Sequence, residues 1–152
     1  MDAIRLLNDA QKLAGFNPPR LAIAGFNPHG GEGGTCGTEE IDIIEPAVSH
    51  ARKEGINAEG PFPADTLFIR LFGGDFDGVV TMYHDQGQIA MKLRGFDNGT
   101  TVMAGLPKPV TTASHGTAFD VAGKGIARPG AWIGAYKTVC HMAKTKLESE
   151  HS

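Results

Sequence analysis

Cysteine is scarce in this 152-residue sequence: the two present, Cys36 and Cys140, lie far apart and form neither a paired metal-ligand spacing nor a disulfide framework. Both read as reduced thiols, as expected of a cytoplasmic protein. Long apolar runs are missing as well. No stretch approaches the roughly 18 apolar residues of a membrane span, and Met1-Asp2-Ala3-Ile4-Arg5 lacks the apolar core of a secretory signal. The expectation is a soluble, unprocessed chain that makes no membrane contact. Neither charge dominates. The 14 basic and 17 acidic residues are interspersed and give a formal net charge of -3, so no basic patch offers itself to nucleic acid. Electrostatics points to a small-molecule ligand instead.

What the chain has in excess is glycine, 21 residues or about twice the usual share of roughly 7%. The glycines gather at the ends of apolar segments, at 30–37, 73–74, 95–105 and 116–130. That placement is loop chemistry on an ordered frame rather than low complexity.

The apolar spacing of residues 3–13 predicts a helix with no N-cap before it, as though the chain opened inside a helix. Leu21-Ala22-Ile23-Ala24 reads as a buried strand running into the glycine loop. Thr38-Glu39-Glu40-Ile41 can begin a second helix, with Ile41, Ile44, Ala47, Val48 and Ala51 on one face and an end near Gly55. Pro61-Phe62-Pro63 turns the chain, and residues 64–71 form a short helix with Asp65 in its first turn, where the macrodipole favours an anion. A second strand spans 77–83 and a short helix 88–93; a third strand spans 100–104, before Pro107 and Pro109. A helical turn at 118–122 and a helix from Gly130 to about Leu147 complete the order, with Pro129 placed to start the latter. Trp132, Phe119 and Met142 are expected in the core, His50, His141 and His151 on the surface, and 144–152 as a frayed tail.

Alternation of helix and strand indicates an α/β fold with a mostly parallel sheet, covered on both faces. Three visible strands are few for such a sheet, so the 152 residues read as one portion of a larger domain, or as a protomer completed by a partner.

Two histidines stand at corresponding points. His29, in Asn27-Pro28-His29-Gly30-Gly31-Glu32-Gly33-Gly34, follows the first strand, and His84, in His84-Asp85-Gln86-Gly87, follows the second. Parallel neighbouring strands would bring both to one rim, where ligands of open α/β sheets bind. Two neutral imidazoles plus a third group would make an open metal site able to polarise a substrate oxygen; hydrogen-bonded structural histidines are the alternative. Asp85, beside His84, could orient the imidazole or accept a proton. Lys92 could act as acid or base near a cation or hold an anionic substrate, or it could be a solvated lysine on a helix face.

The stretch Ser114-His115-Gly116-Thr117-Ala118-Phe119-Asp120-Val121-Ala122-Gly123-Lys124-Gly125-Ile126-Ala127-Arg128-Pro129 resembles the adenine-side nucleotide loop of isocitrate and isopropylmalate dehydrogenases. Taken with 27–34, Pro63-Ala64-Asp65-Thr66 and Met82-Tyr83-His84-Asp85-Gln86-Gly87, the chain from about 20 to 143 resembles the C-terminal part of the 4-hydroxythreonine-4-phosphate dehydrogenase family. The resemblance implies a three-layer α/β/α fold, two lobes in the complete protein, and a homodimer whose protomers share active sites. It implies a divalent metal (zinc, magnesium, manganese or cobalt) held by three histidines. It also implies NAD, with NADP as an alternative, as oxidant of a substrate hydroxyl, and loss of carbon dioxide from the resulting 3-oxo acid.

By position, the resemblance makes His29 and His84 two of the three metal ligands, the third lying outside this sequence, and makes Lys92 the substrate-contacting lysine. Lys92 and Asp85 become the proton-handling candidates, with Asp65 a third. Gly31, Gly33 and Gly116 would let backbone amides approach the dinucleotide, with His115, Thr117, Ala118 and Asp120 along its adenosine end. Two positions depart from the family pattern: Thr101 stands where a substrate-binding asparagine is expected, and Val110 where an arginine is. An isopropyl group cannot replace a guanidinium fork on an anion. Four-carbon acid sugar phosphates and cis-dihydrodiol carboxylates are therefore alternative substrates. A non-catalytic NAD- or metal-binding or dimerisation fragment is a competing reading. A metal-dependent decarboxylase or hydrolase without redox chemistry is disfavoured by the 114–129 loop.

Overall fold

The computed structural model describes residues 1–95 and 99–151, which form two compact units, Met1–Ala90 and Met91–Ser152.

The first unit is built around one strand. β1 (Leu21–Ala24) is fully buried and lies between β2 (Ala58–Phe62) and β3 (Gly78–Val80), both parallel to it, in the order β2-β1-β3. Alternating side chains of β1 point to opposite faces, and both faces are covered. Leu21 and Ile23 pack with Ile4 of α1 (Asp2–Leu13) and with Ile44, Val48 and Ala51 at α2 (Glu45–Lys53). Ala22 and Ala24 pack with Leu67 of α3 (Ala64–Gly73) and with Phe76. The unit is thus helix, parallel sheet and helix in three layers, the mixed α/β arrangement that the alternating pattern predicts.

Two details depart from that pattern. The segment before Pro63, expected as a turn, contains β2; an edge strand tolerates a proline because its outer side needs no ladder donor. The second strand is shorter than 77–83, because the Met82 N–H is taken by the side chain of Gln86 at 2.8 Å instead of by a strand. His84 accordingly opens α4 (His84–Gly95) as its first residue.

In the second unit, β4 (Thr100–Val102) does not join the parallel sheet. It pairs antiparallel with β5 (Thr111–Ala113), Thr101 facing Thr112, and periodicity alone cannot distinguish these partners. α5 (Gly130–Glu150) packs against this ribbon, burying Ala131, Ala135 and Met142, and its Ala135 carbonyl accepts a hydrogen bond from Thr111 Oγ1 at 2.8 Å. With Ala131, Ala135 and Met142 on the inward face of α5, Trp132 lies outward, 66% exposed, and Phe119 is 81% exposed; of the three residues expected in the core only Met142 is there. His50, His141 and His151 are exposed. α5 continues as helix through 144–150, where a frayed tail is expected, and Lys144 and Lys146 lie four residues before Glu148 and Glu150 as ion-pair partners.

Candidate functional site

Beyond Ala24 the chain enters a turn of opposite hand. His29, Gly30, Gly31, Glu32, Gly33 and Gly34 all have positive φ, from 46° to 100°, so the segment is a left-handed turn six residues long. Glycine supplies four of these positions at low steric cost, whereas His29 and Glu32 take a conformation that L-residues disfavour. Non-glycine residues held in this region cluster at functional sites. These two face each other: His29 Nδ1 is 2.6 Å from Glu32 Oε1. That hydrogen bond, with a smaller contribution from the Asp65 charge, raises the His29 pKa above its ordinary value. It also fixes the tautomer when the imidazole is neutral, with the proton on Nδ1 and the Nε2 lone pair directed away from Glu32.

A buried carboxylate anchors the base of this turn. Glu40 is 2% exposed and lies in a π-helical turn, Glu40–Ile44, just ahead of α2. Its Oε1 accepts the N–H groups of Phe26 and Asn27 at 2.7 and 2.8 Å, and its Oε2 accepts Asn27 Nδ2 at 2.8 Å. Burial pushes the Glu40 carboxyl up, but these donors outweigh it and hold the pKa below the ordinary glutamate value. Gly31 is buried against the same carboxylate: a Cβ there would lie 2.7 Å from Glu40 Oε2. Its lack of a side chain is thus required by internal packing. Gly33 is exposed, with open space where a Cβ would be.

The other histidine stands at the matching strand end. β1 and β3 are paired as far as Ile23 and Val80, and His84 begins α4 four residues later, exposed, with Asp85 exposed beside it. A cleft of about 250 Å³ lies at this rim, lined by Phe26, Asn27, Pro28, His29, Ala64, Asp65, Tyr83 and Gln86. His29 and Asp65 are therefore brought together. His84 and Asp85 fall in sequence between two lining residues, Tyr83 and Gln86. Imidazole nitrogens with a carboxylate nearby suit a borderline divalent cation such as zinc or cobalt. Among the described residues no three histidine, cysteine, aspartate or glutamate side chains converge as a metal-binding group.

The second unit has its own cavity, about 450 Å³, lined by His115, Gly116, Ala118, Asp120, Val121, Ile126, Ala127, Arg128 and Ala131. Ala118 has φ of 51°, and a short 3-10 turn, Phe119–Val121, follows it. The wall combines apolar side chains with an imidazole, a carboxylate and the Arg128 guanidinium, a composition that suits a planar base and ribose hydroxyls. Of the sequence candidates here, His115, Gly116, Ala118 and Asp120 line the cavity; Thr117 is exposed between them. Lys92 lies on the second-unit part of α4, and Thr101 on β4; both are exposed, as is Val110.

Residues 1–139 match the family model described as pyridoxal phosphate biosynthetic protein PdxA. The chain belongs to this family. It is 53% identical over 127 residues to a 4-hydroxythreonine-4-phosphate dehydrogenase of Beijerinckia indica, covering 84% of this chain and 38% of that protein. It is 51% identical over 118 residues to a D-threonate 4-phosphate dehydrogenase of Pectobacterium atrosepticum, covering 78% and 36% respectively. Among solved structures, a 4-hydroxythreonine-4-phosphate dehydrogenase from Klebsiella pneumoniae superposes with a TM-score of 0.81 at 41% identity, covering 92% of this chain and 43% of that one. The chain thus spans less than half the length of these PdxA-family relatives.

Three residues that shape the rim were not singled out from the sequence. Glu40 has a legible signal: counted back from Ile44, Val48 and Ala51 it occupies the same apolar stripe, where a solvated glutamate has no place. Ile41, assigned to that stripe instead, is 45% exposed, because the π-helical turn shifts the face by a residue. Glu32 and Gln86 carry no such signal, since short-range polar contacts in a turn leave no periodicity.

Proposed function

We propose that this chain provides two metal-binding histidines and the dinucleotide-binding loop of an NAD-dependent dehydrogenase that oxidises a secondary alcohol of a small hydroxy acid or its phosphate. The observation that carries this reading is the parallel pairing of β1 and β3, which delivers the His29 turn and the His84 helix start to one edge of the sheet. His29, oriented through Nδ1 by Glu32, offers Nε2 to a cation. A bound divalent metal would supply Lewis-acid activation of the substrate hydroxyl, and bound NAD a two-electron acceptor. The chain's own groups bind and move protons: Asp65 lies in the cleft with His29, Asp85 adjoins His84, and Lys92 is the candidate for holding the substrate's anionic group. His115, Gly116 and Asp120 would line the adenosine end of NAD, with Thr117 and Ala118 shaping the loop. Loss of carbon dioxide can follow oxidation where the product is a 3-oxo acid. A homodimer with shared sites would complete the cleft.

The substrate reading extends to four-carbon acid phosphates, since Thr101 and Val110 lack the amide and guanidinium groups of the hydroxythreonine-phosphate pattern. A chimera joining the unmatched portion of the Beijerinckia indica relative to this chain should form NADH only with added divalent metal, and His84→Ala should reduce that to background. Full activity of the His84→Ala chimera would overturn the ligand assignment. Independently, the one tryptophan, Trp132, adjoins cavity residue Ala131, so NADH binding to the 152-residue chain should quench its emission.

A second reading rests on the absence of a three-residue metal group among the described residues: the isolated chain binds NAD or metal without turnover. Steady-state NADH production by the 152 residues alone would defeat it.

A further inference from the structure

Gln86 spends both ends of its side-chain amide on backbone groups from two different histidine-bearing segments. Its Oε1 accepts the Met82 N–H at 2.8 Å, two residues before His84. Its Nε2 donates to the Gly25 carbonyl at 2.9 Å, four residues before His29. Ladder pairing of β1 with β3 stops at Ile23 and Val80, so beyond that point this amide continues the link between the two chains. The orientation of the amide follows from its partners, because an N–H must donate and a carbonyl must accept. Only a side chain with donor and acceptor on one planar group can make both bonds. A glutamate would set an oxygen against the Gly25 carbonyl, and a methionine of similar length would make neither bond.

We infer that Gln86 is a positioning residue that fixes the spacing of His29 and His84, so that both imidazoles reach one divalent cation. This rests on the ligand roles proposed above for the two histidines. Two imidazoles held at a set separation bind a cation as a chelate, whereas independently mobile ones bind it singly and more weakly. A merely structural glutamine would lower stability without regard to His29; a spacing device acts only while both histidines are present.

A double-mutant cycle read by Co2+ binding separates these cases. Co2+ alone is titrated into the 152-residue chain, followed by calorimetry, for the parent, Gln86→Met, His29→Ala and the double variant, with melting temperature recorded for each. Gln86→Met should raise the Co2+ dissociation constant about tenfold in the parent, the scale at which groups behind a ligand act. In the His29→Ala background it should leave the constant unchanged, while its effect on melting is the same in both. An unchanged constant in Gln86→Met, or an equal loss in both backgrounds, overturns the inference. If His29→Ala itself leaves Co2+ binding intact, the ligand assignment fails, and the inference with it. Should Gln86→Met not fold, Gln86→Leu, which likewise makes neither bond and adds no metal ligand, carries the same expectations.

Discussion

Asp77 grips Arg20 by three hydrogen bonds: its Oδ2 accepts the Arg20 backbone N–H at 2.8 Å and Nε at 3.0 Å, and its Oδ1 accepts Nη2 at 2.8 Å. Arg20 immediately precedes β1, and Asp77 immediately precedes β3. The pair therefore fixes the entry of two parallel strands whose far ends carry His29 and His84. Charge and geometry on one side of the sheet set the register that the rim on the other side depends on.

The Arg20 hydrogen bond, opposed by partial burial, holds the Asp77 carboxyl below its ordinary range. A depressed folded-state pKa contributes stability at pH values above the unfolded value of about 3.9, and that contribution disappears as pH falls through the folded value. Asp77→Asn should lower the melting temperature at pH 7 and shrink the difference from the parent below pH 4. Equal melting of the two chains at pH 7 would count against the pair as a register lock.

Glu32 raises the pKa of His29, so the proton it favours competes with any cation at the imidazole. The stabilisation from this raised pKa is present below the unfolded value of about 6.5 and fades as pH rises through the folded one. Glu32→Ala should move the His29 titration, followed by NMR of the ring protons, downward toward the ordinary histidine value. A titration unmoved by the substitution would mean that the pair does not persist in solution.

Gly60 lies within β2 at φ of +135°, and a Cβ placed there would be 2.5 Å from the Ile23 carbonyl oxygen on β1. Gly60→Ala should destabilise the first unit by about 1–3 kcal/mol, the scale of backbone strain at such positions, measured by urea unfolding. Gly55→Ala is the comparison: its φ is +81°, but nothing lies within 4 Å of the added carbon, so the loss should be smaller.

The parts of the fold legible in the sequence were those in which chemistry repeats with the period of the element. Leu21-Ala22-Ile23-Ala24 declares a strand buried on both faces, and the spacing of Ile44, Val48 and Ala51 declares a helix packed on it. β2, with the sequence Ala58-Glu59-Gly60-Pro61-Phe62, does not, because an edge strand admits residues that a central one rejects. β5 is three residues of mostly polar character, so the partner of β4 was hidden too. His29, His84 and Asp65 stand out in the sequence by residue type and by their place at strand and helix ends, and the structure sets His29 and Asp65 in one cleft. The residues that hold them, Glu40 and Gln86, bind backbone atoms far away in sequence, and such contacts exist only once the chain has folded.

Over the six residues from His29 to Gly34 the usual chirality of the chain is inverted, the backbone there tracing the mirror image of the turn that L-residues prefer. A stretch of this kind is selective about composition in a way no helix or strand is: residues without a Cβ enter freely, and a D-amino acid would fit where its natural enantiomer strains. Across that span only two positions carry side chains at all, an imidazole and the carboxylate paired with it. At those two positions conformational ease is given up, and what stands there is a single hydrogen-bonded imidazole–carboxylate pair.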